Sequence, residues 1–492
     1  MNLYYVFNAI SIILRYASIL LMVPCICAIW QKEYMALIPF IIISLVSLGL
    51  GVFLKNKIKE DELNNINRTE AFAIVLLTWG LLCILGSVPF MFFGMTPVDS
   101  LFESVSGLTA TGATVLKNFD IYPNTMFFWR SYSQWLGGMG IIVLFTAVLP
   151  QFSIAGRQMF FAEVPGSTES KLTPRIRQTA GALWGIYLFL TLAEVAMLVY
   201  LKMPVFDAIC TSMSTISAGG FSPKADSLIA YGSVKYVWTV AAFMFFAGFN
   251  FALQYKVFVK RKIMSLFKDE EFKLYVKIVL IFALLLAIAL TSGKVYTFME
   301  ALREAIFQVL AIMTTTGFAC TDYSQWTLGS KMLLFILMFT GASIGSATGG
   351  IKLLRILIIF KYLKLQIAKI HHPNGVYPIK INRSILNEQA VRQIISFVIF
   401  YYLIFAITSV ILVIIEQNLT TGITASIATL GNIGPGFGEM IGPMGSYGDL
   451  HISSKLITTF NMFIGRLELI PFLSLLHPDF WSIKKNNNLQ RQ

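Results

Sequence analysis

Thr109-Ala110-Thr111-Gly112-Ala113-Thr114 decides how this chain is read, because its plan returns three times around a glycine. The later copies are Ser217-Ala218-Gly219-Gly220-Phe221-Ser222, Thr314-Thr315-Thr316-Gly317-Phe318-Ala319 and Gly431-Asn432-Ile433-Gly434-Pro435-Gly436. Each follows a short apolar run and precedes a polar loop. Thirteen residues before the first three glycines stands a carboxylate, Asp99, Asp207 or Glu304, and the fourth copy has Thr421 there. Intervals of 108, 97 and 117 residues between the glycines are far too long for a solenoid. They suit four pseudo-symmetric repeats inside one chain.

The 492 residues are 56% hydrophobic and 13% charged, with a mean hydropathy of +0.72. A soluble domain carries about a quarter charged residues, so the composition is that of an integral membrane protein. A formal charge of +13 could suggest a nucleic-acid partner. In a membrane protein, however, basic residues gather in cytoplasmic loops, and no nucleic acid is expected. Cys25, Cys27, Cys83, Cys210 and Cys320 mostly lie in apolar surroundings without metal spacing. The amino terminus has no basic stretch followed by a cleavage site, so the first apolar run is expected to be retained.

A spanning helix needs about 20 apolar residues. Two candidates lead the chain, Val6 to Trp30 (interrupted by Arg15) and Leu37 to Leu54, in an expected N-terminal domain and linker at 1–62. Four repeats follow, each reading apolar helix, short helix, glycine loop, apolar helix. They occupy 63–165, 166–268, 269–385 and 386–492. The expected architecture is an all-α polytopic membrane protein with ten spanning helices and four half-length ones around a central pore. A helix from Asp99 to Ala110 would measure about 18 Å, too short for a core of about 30 Å. Irregular backbone at membrane depth is tolerated only when buried in protein or lining water, so the short helices imply re-entrant hairpins about an aqueous path. Carboxylates at their N-termini complement the macrodipole, and the partly negative C-terminal ends aimed at the glycine loops favour a cation.

Charge placement suggests one orientation. The segments joining repeats are basic, with Arg157, Lys171, Arg175 and Arg177, then Lys256, Lys260, Arg261, Lys262 and Lys268, then Lys361, Lys364, Lys369, Lys380 and Arg383. The loops after the glycines carry Asp120, Asp226, Asp322, Glu439 and Asp449. Positive-inside placement then puts the joining segments and both termini in the cytoplasm, with the glycine loops entering from outside.

Successive backbone oxygens that replace a cation's hydration shell must all point inward. Glycine permits the angles this needs. A single such glycine is more often a helix C-cap; four at matched positions after matched short helices point to a pore. The chain resembles the superfamily of Trk, Ktr and HKT potassium transporters, most closely its TrkH/TrkG branch. The resemblance rests on the filter loops and on three further stretches. These are Trp129-Arg130-Ser131-Tyr132-Ser133-Gln134-Trp135-Leu136-Gly137-Gly138-Met139-Gly140, Gly345-Ser346-Ala347-Thr348-Gly349-Gly350-Ile351-Lys352 and His372-Pro373-Asn374-Gly375-Val376-Tyr377-Pro378-Ile379-Lys380.

The resemblance implies a potassium-translocating subunit of the bacterial inner membrane, surrounded by lipid, homodimeric and regulated by a cytosolic nucleotide-binding TrkA ring. Potassium (K+) would be the transported ion. Carried over by position, the filter comprises Thr111, Gly112, Ala113, Gly219, Gly220, Thr316, Gly317, Phe318, Ile433 and Gly434. The stretch Thr340 to Gly350 holds Gly341, Gly345, Gly349 and Gly350, poor helix formers. Close helix packing through small residues would explain them; the resemblance implies an intramembrane loop that obstructs the path below the filter. Charges at such depth, Arg466 and Glu468, are most plainly explained by an interhelical ion pair, a reading kept for Glu468; Arg466 resembles the family's pore arginine beside that loop. Lys352 either joins the gate or snorkels to the interface. Glu194, within a spanning helix, receives no role, and Trp129, Trp135, Tyr122 and Tyr132 suit an interfacial aromatic belt.

Three rivals were open. An intramembrane enzyme would cluster His, Asp or Cys at depth, but His371, His372, His451 and His477 all fall at helix ends or in loops. An inverted-repeat carrier disagrees with repeats that run in parallel. A KtrB-type sodium- or proton-coupled symporter lacks the two leading helices.

Overall fold

The computed structural model describes residues 3–56, 68–143, 172–373, 375, 377–382, 384–467, 469 and 472. In chain order the helices are α1 (Leu3–Leu20), α2 (Val23–Trp30), α3 (Leu37–Asn56), α4 (Arg68–Phe92), α5 (Pro97–Leu108), α6 (Asn124–Val143), α7 (Leu172–Tyr200), α8 (Val205–Ile216) and α9 (Val234–Gly248). Then come α10 (Phe251–Phe258), α11 (Met264–Lys268), α12 (Glu270–Ser292), α13 (Phe298–Met313), α14 (Leu328–Met338), α15 (Leu353–His371), α16 (Glu388–Glu416), α17 (Leu419–Leu430) and α18 (Ile452–Arg466). The strands β1 (Lys380–Ile381) and β2 (Ser384–Ile385) form an antiparallel hairpin before α16. The protein is an all-α membrane protein.

The chain divides into a smaller unit (1–104, 122–129 and 467–492) and a larger one (105–121 and 130–466). In the smaller unit α1 and α3 are joined by serines rather than by apolar contact alone. Ser11 donates to the Gly51 carbonyl at 2.8 Å, Ser47 to Leu14 at 2.8 Å and Ser44 to Ser18 at 2.7 Å, a register that makes the pair antiparallel. Small hydroxyls let helices approach closely in an apolar medium. Gly51 completes the fit, since a Cβ there would lie 2.8 Å from the Arg15 stem, which packs against α3. Val6, Ile10 and Leu14 then meet Ala73 and Leu85 of α4 in one apolar cluster.

Six helices are long and apolar enough to cross a membrane among the described residues, or seven if the α9–α10 pair counts as one span. The ten expected spans are therefore not ten straight helices. The run read as one helix, Val234 to Phe258, bends by 105° where α9 meets α10. Phe249 is extended there, and the Asn250 side chain caps α10 by accepting from Ala252 N at 2.7 Å and Leu253 N at 3.2 Å. Gln254 donates to the Phe246 and Phe249 carbonyls at 2.6 and 3.0 Å. A break at membrane depth survives only if the released backbone groups find partners, and two amide side chains provide them. The run from Met332 to Phe360 is likewise interrupted, between α14 and α15. The expected helix ends at Leu149 and Leu476 lie outside the described residues, as do the junctions at 62 and 165, Arg157, Lys171, Arg383 and Glu468.

The short helices α5, α8 and α17 have 12 residues and α13 has 16. The acids differ from expectation in one place. Asp99 and Asp207 lie in first turns, but α13 begins a turn earlier than read, so Glu300 occupies its first turn and Glu304 the second. Glu304 instead pairs with Arg303 at 2.8 Å and accepts from Cys320 Sγ at 2.8 Å. Asn418 supplies the missing acceptor of the fourth copy, taking Thr421 N at 3.0 Å. Trp129 and Tyr132, expected at a membrane interface, are buried, and the Trp129 indole donates to Gly86 O at 3.2 Å.

The α16–α17 contact is close enough to test. Ser426 and Thr408 share a hydrogen bond of 2.6 Å, and a Cβ on Gly422 would stand 2.6 Å from Val413 N. Gly422→Val should destabilise the detergent-solubilised protein by about 1–3 kcal/mol, read as a lower midpoint of thermal unfolding; an unshifted midpoint would contradict this packing.

Candidate functional site: a ring of glycine loops

All four short helices of the repeats end in the same way. The residue two before each key glycine is left-handed without being glycine: Ala110 at φ 49°, Ala218 at 57°, Thr315 at 55° and Asn432 at 54°. The next amide reaches back five residues, Thr111 N to Ser106 O, Gly219 N to Ser214 O, Thr316 N to Ala311 O and Ile433 N to Ala428 O, at 2.8–2.9 Å. Paired with the shorter bonds from Ala110, Ala218, Thr315 and Asn432, this is a Schellman cap made four times. The cap absorbs the last carbonyls of the helix and turns the chain outward.

The glycines themselves have φ of 85° at Gly112, 73° at Gly220, 75° at Gly317 and 98° at Gly434. Such angles disfavour any side chain. Space forbids one as well. A Cβ on Gly112 would overlap the Gly219 carbonyl oxygen, one on Gly220 that of Thr316, one on Gly317 that of Ile433, and one on Gly434 would approach that of Thr111 to 2.7 Å. Each glycine thus abuts the residue before the next glycine, and the fourth returns to the first. The loops encircle a common axis in chain order.

Side chains hold this ring from behind. Gln134, fully buried on α6, donates Nε2 to Gly219 O at 2.7 Å and accepts Phe221 N on Oε1 at 3.1 Å, so one amide spans Gly220. Tyr447 donates its hydroxyl to Gly434 O at 2.8 Å. Thr109 and Thr111 share a bond of 2.7 Å, and Thr314 and Thr316 one of 2.8 Å. Asn432 reaches across the fourth junction to Thr111 Oγ1 at 2.9 Å and also donates to Met462 O at 2.9 Å. Ser106 donates to Ala113 O at 2.6 Å, while Phe318 and Ile433 are buried behind their glycines. Gln134 lies within a stretch singled out by resemblance, but nothing in its spacing marks it; Tyr447 left no sequence signal.

One side of the ring opens on a cavity of about 370 Å³, bordered by Gly112, Gly220, Gly317 and Pro435. Two of its basic residues, Arg130 and Lys117, are engaged. Arg130 stacks over Phe221 at 4.0 Å and donates to Ser222 O at 3.0 Å, and Lys117 pairs with Asp449. Asp226 and Glu439 also line it.

The segment between α14 and α15 presses on the helix ends below the ring. Its neck is closed by Gly341 N to Ile351 O at 2.8 Å and Leu353 N to Ala342 O at 3.1 Å. Gly349 donates to Thr315 Oγ1 at 2.8 Å, and its absent Cβ would crowd Gly431 O and Asn432. Gly345 and Gly350 have φ of 75° and 66°, and a Cβ on Gly341 would strike Gly349 O. Lys352 is 2% exposed with Nζ on Thr348 O and Oγ1, so it does not snorkel. Arg466, also 2% exposed, donates to Ala347 O at 2.7 Å and Gly137 O at 3.5 Å. Its guanidinium thus bridges a carbonyl of this segment and one of α6. Beside it, Gly465 lets α18 meet the end of α17, since a Cβ there would overlap Leu430 O. Glu194 lies fully buried on α7.

A family model described as TrkH, cation transport protein, matches residues 39–479. The chain is 35% identical to the Trk system potassium uptake protein TrkH of Salmonella typhimurium over 443 residues, 89% of this chain and 90% of that one. It is 30% identical to the Trk system potassium uptake protein TrkG of Escherichia coli, over 94% and 96% of the two chains. Among solved structures, the crystal structure of the potassium transporter TrkH from Vibrio parahaemolyticus aligns with a TM-score of 0.89 at 32% identity, covering 98% of this chain and all of that one.

The Gln134 clamp predicts a cost. Gln134→Leu keeps the volume but leaves a buried carbonyl and a buried amide unpaired, a loss of about 1–3 kcal/mol per orphaned group. Thermal unfolding of the purified variant should shift downward; a wild-type transition would mean that Gly219 and Phe221 find other partners.

Proposed function

This chain belongs to the TrkH family of cation transport proteins, and from that premise we propose that it conducts potassium into the cell across a bacterial inner membrane. The observation that carries the proposal is the closed cyclic order of Gly112, Gly220, Gly317 and Gly434. In this reading Thr111, Gly112, Ala113, Gly219, Gly220, Thr316, Gly317, Phe318, Ile433 and Gly434 form a selectivity filter whose backbone oxygens replace the water of a bare monovalent cation. The cavity bordered by Asp226 and Glu439 is its outer mouth.

Below the filter the intramembrane segment with Gly341, Gly345, Gly349, Gly350 and Lys352 obstructs the path. Two buried cations, Lys352 and Arg466, sit on its carbonyls. A fixed positive charge beside a narrow path raises the barrier for a cation, and one tied to the obstructing loop also holds that loop in place. Opening then requires the loop to leave Arg466 and the ends of α13 and α17. The basic, exposed residues Lys260, Arg261, Lys262 and Lys268 face the cytoplasm together with both termini. The working assembly is a homodimer regulated by a cytosolic nucleotide-binding TrkA ring. With about one glycine per loop, discrimination against sodium is weaker than in a filter with several stacked carbonyl layers.

Rubidium flux into proteoliposomes tests both parts. Gly112→Ser places a side chain where φ is 85° and the Gly219 carbonyl already sits; flux should fall at least tenfold in protein that still purifies as a folded species. Undiminished and equally selective flux would remove the filter. Arg466→Ala should raise basal flux, roughly tenfold if the barrier drops by about 1.4 kcal/mol. Unchanged or lower flux at equal protein would remove the arginine from the gate.

A further inference from the structure

Three consecutive carboxylates, Asp269, Glu270 and Glu271, stand at the start of α12; the first two share Asn382 and the third turns elsewhere. Asp269 caps its own helix by accepting Phe272 N at 2.7 Å, and its other oxygen accepts from Asn382 Nδ2 at 2.8 Å. Glu270 donates its amide to Asn382 Oδ1 at 2.9 Å, accepts Asn382 N at 3.2 Å, and pairs with Lys361 of α15. Lys361 in turn reaches Lys380 O at 2.6 Å, so the β1–β2 hairpin is fastened to α12 and α15 by four polar contacts.

Glu271 points the other way. It is 4% exposed, and Oε1 accepts both Ile344 N at 2.8 Å and Leu354 N at 3.1 Å. One of those amides lies within the intramembrane segment and the other just after it. Ile344 lies just inside its first strand of backbone, and Leu354 is in the first turn of α15. One oxygen therefore closes the segment at its base, just beyond the backbone bonds of its neck. A carboxylate suits the place: it lies at the N-termini of α12 and α15, where aligned peptide dipoles favour negative charge. Hydrogen bonds to an ionised acceptor are also about twice as strong as neutral ones.

We propose that Glu271 is a positioning residue that pins the intramembrane segment in its obstructing conformation, and that Asp269 and Glu270 connect this pin to the hairpin at 380–385. The proposal rests on the reading of that segment as the gate. Its specific content is mechanical. Glu270 and Glu271 are adjacent on one rigid helix start, so displacing the hairpin through Asn382 loads the pin directly. Arg466 restrains the far side of the same segment, at Ala347, from a different helix.

The test uses full-length protein in proteoliposomes, with rubidium flux as readout and Arg466→Ala as reference. Glu271→Gln keeps shape and an acceptor oxygen but loses the charge, and basal flux should rise roughly threefold to tenfold. Glu271→Leu should raise it further and speed amide exchange in the peptide 341–354. If Glu271→Leu does not fold, Glu271→Gln decides alone. Asn382→Ala should also raise flux, and should add nothing in the Glu271→Leu background, because both act through one pin. A fully additive double variant would refute the connection to the hairpin. Wild-type flux in both Glu271 variants, with Arg466→Ala elevated, would overturn the pin and leave the gate standing. Wild-type flux in all of them would overturn the gate and the pin together.

Discussion

No peptide group in the hydrocarbon of a bilayer can be left without a hydrogen-bond partner, and this chain breaks its helices repeatedly at that depth. The breaks among the described residues that border the ring are closed by local devices. The short helices end in Schellman caps that use their own amides. The bend between α9 and α10 is served by Asn250 and Gln254. The neck of the segment between α14 and α15 pairs with itself, and Glu271 takes two more of its amides. Irregular backbone is what gives the protein a place to handle a cation, and these polar side chains are what make irregular backbone tolerable.

Much of this was legible in the sequence, for physical reasons that can be traced. Glycine at φ near 80° has no substitute, so four of them at matched positions stood out. The interruption at Thr340 to Gly350 was visible because four glycines and several small polar residues make poor helix. Other features left no such trace. The bend at Phe249-Asn250 depends on an amide cap within a strongly apolar run, and hydropathy averages over it. Glu304 occupies the same offset as Asp99 and Asp207, which suggests a start for α13 one turn late; the true start is the Thr297–Glu300 capping box upstream. Trp129 and Tyr132 were misjudged because amphipathic rings suit an interface and a core equally well; only packing decides. Gln134, Tyr447 and Glu271 act through tertiary geometry that spacing does not encode.

The four loops are also less alike than their glycines. The first and third brace themselves with a pair of threonine hydroxyls one residue and three residues before the glycine. The second and fourth have Ser217 and Gly219, or Gly431 and Ile433, at those places and rely on Gln134 and Tyr447 from outside the loop. The pseudo-symmetry is therefore four-fold in backbone and two-fold in support, and Gly219 beside Gly220 belongs to a loop that is clamped rather than self-braced.

Because the loops follow one another around the axis in chain order, three of the ring's junctions join neighbours that are also linked covalently through the intervening helices. The fourth has no such tether. Gly434 meets Thr111 across 321 to 323 residues of sequence, held by the Asn432 amide on the threonine hydroxyl. The ring is thus a split washer, and at the glycines its slit is bridged by an asparagine that also grips α18 four residues ahead of Arg466, while Tyr447 N on Thr114 O and the Lys117–Asp449 pair close it further along the loops. Strain arriving along that last helix would reach the seam between the chain's earliest and latest loops directly, where only non-covalent contacts share the load.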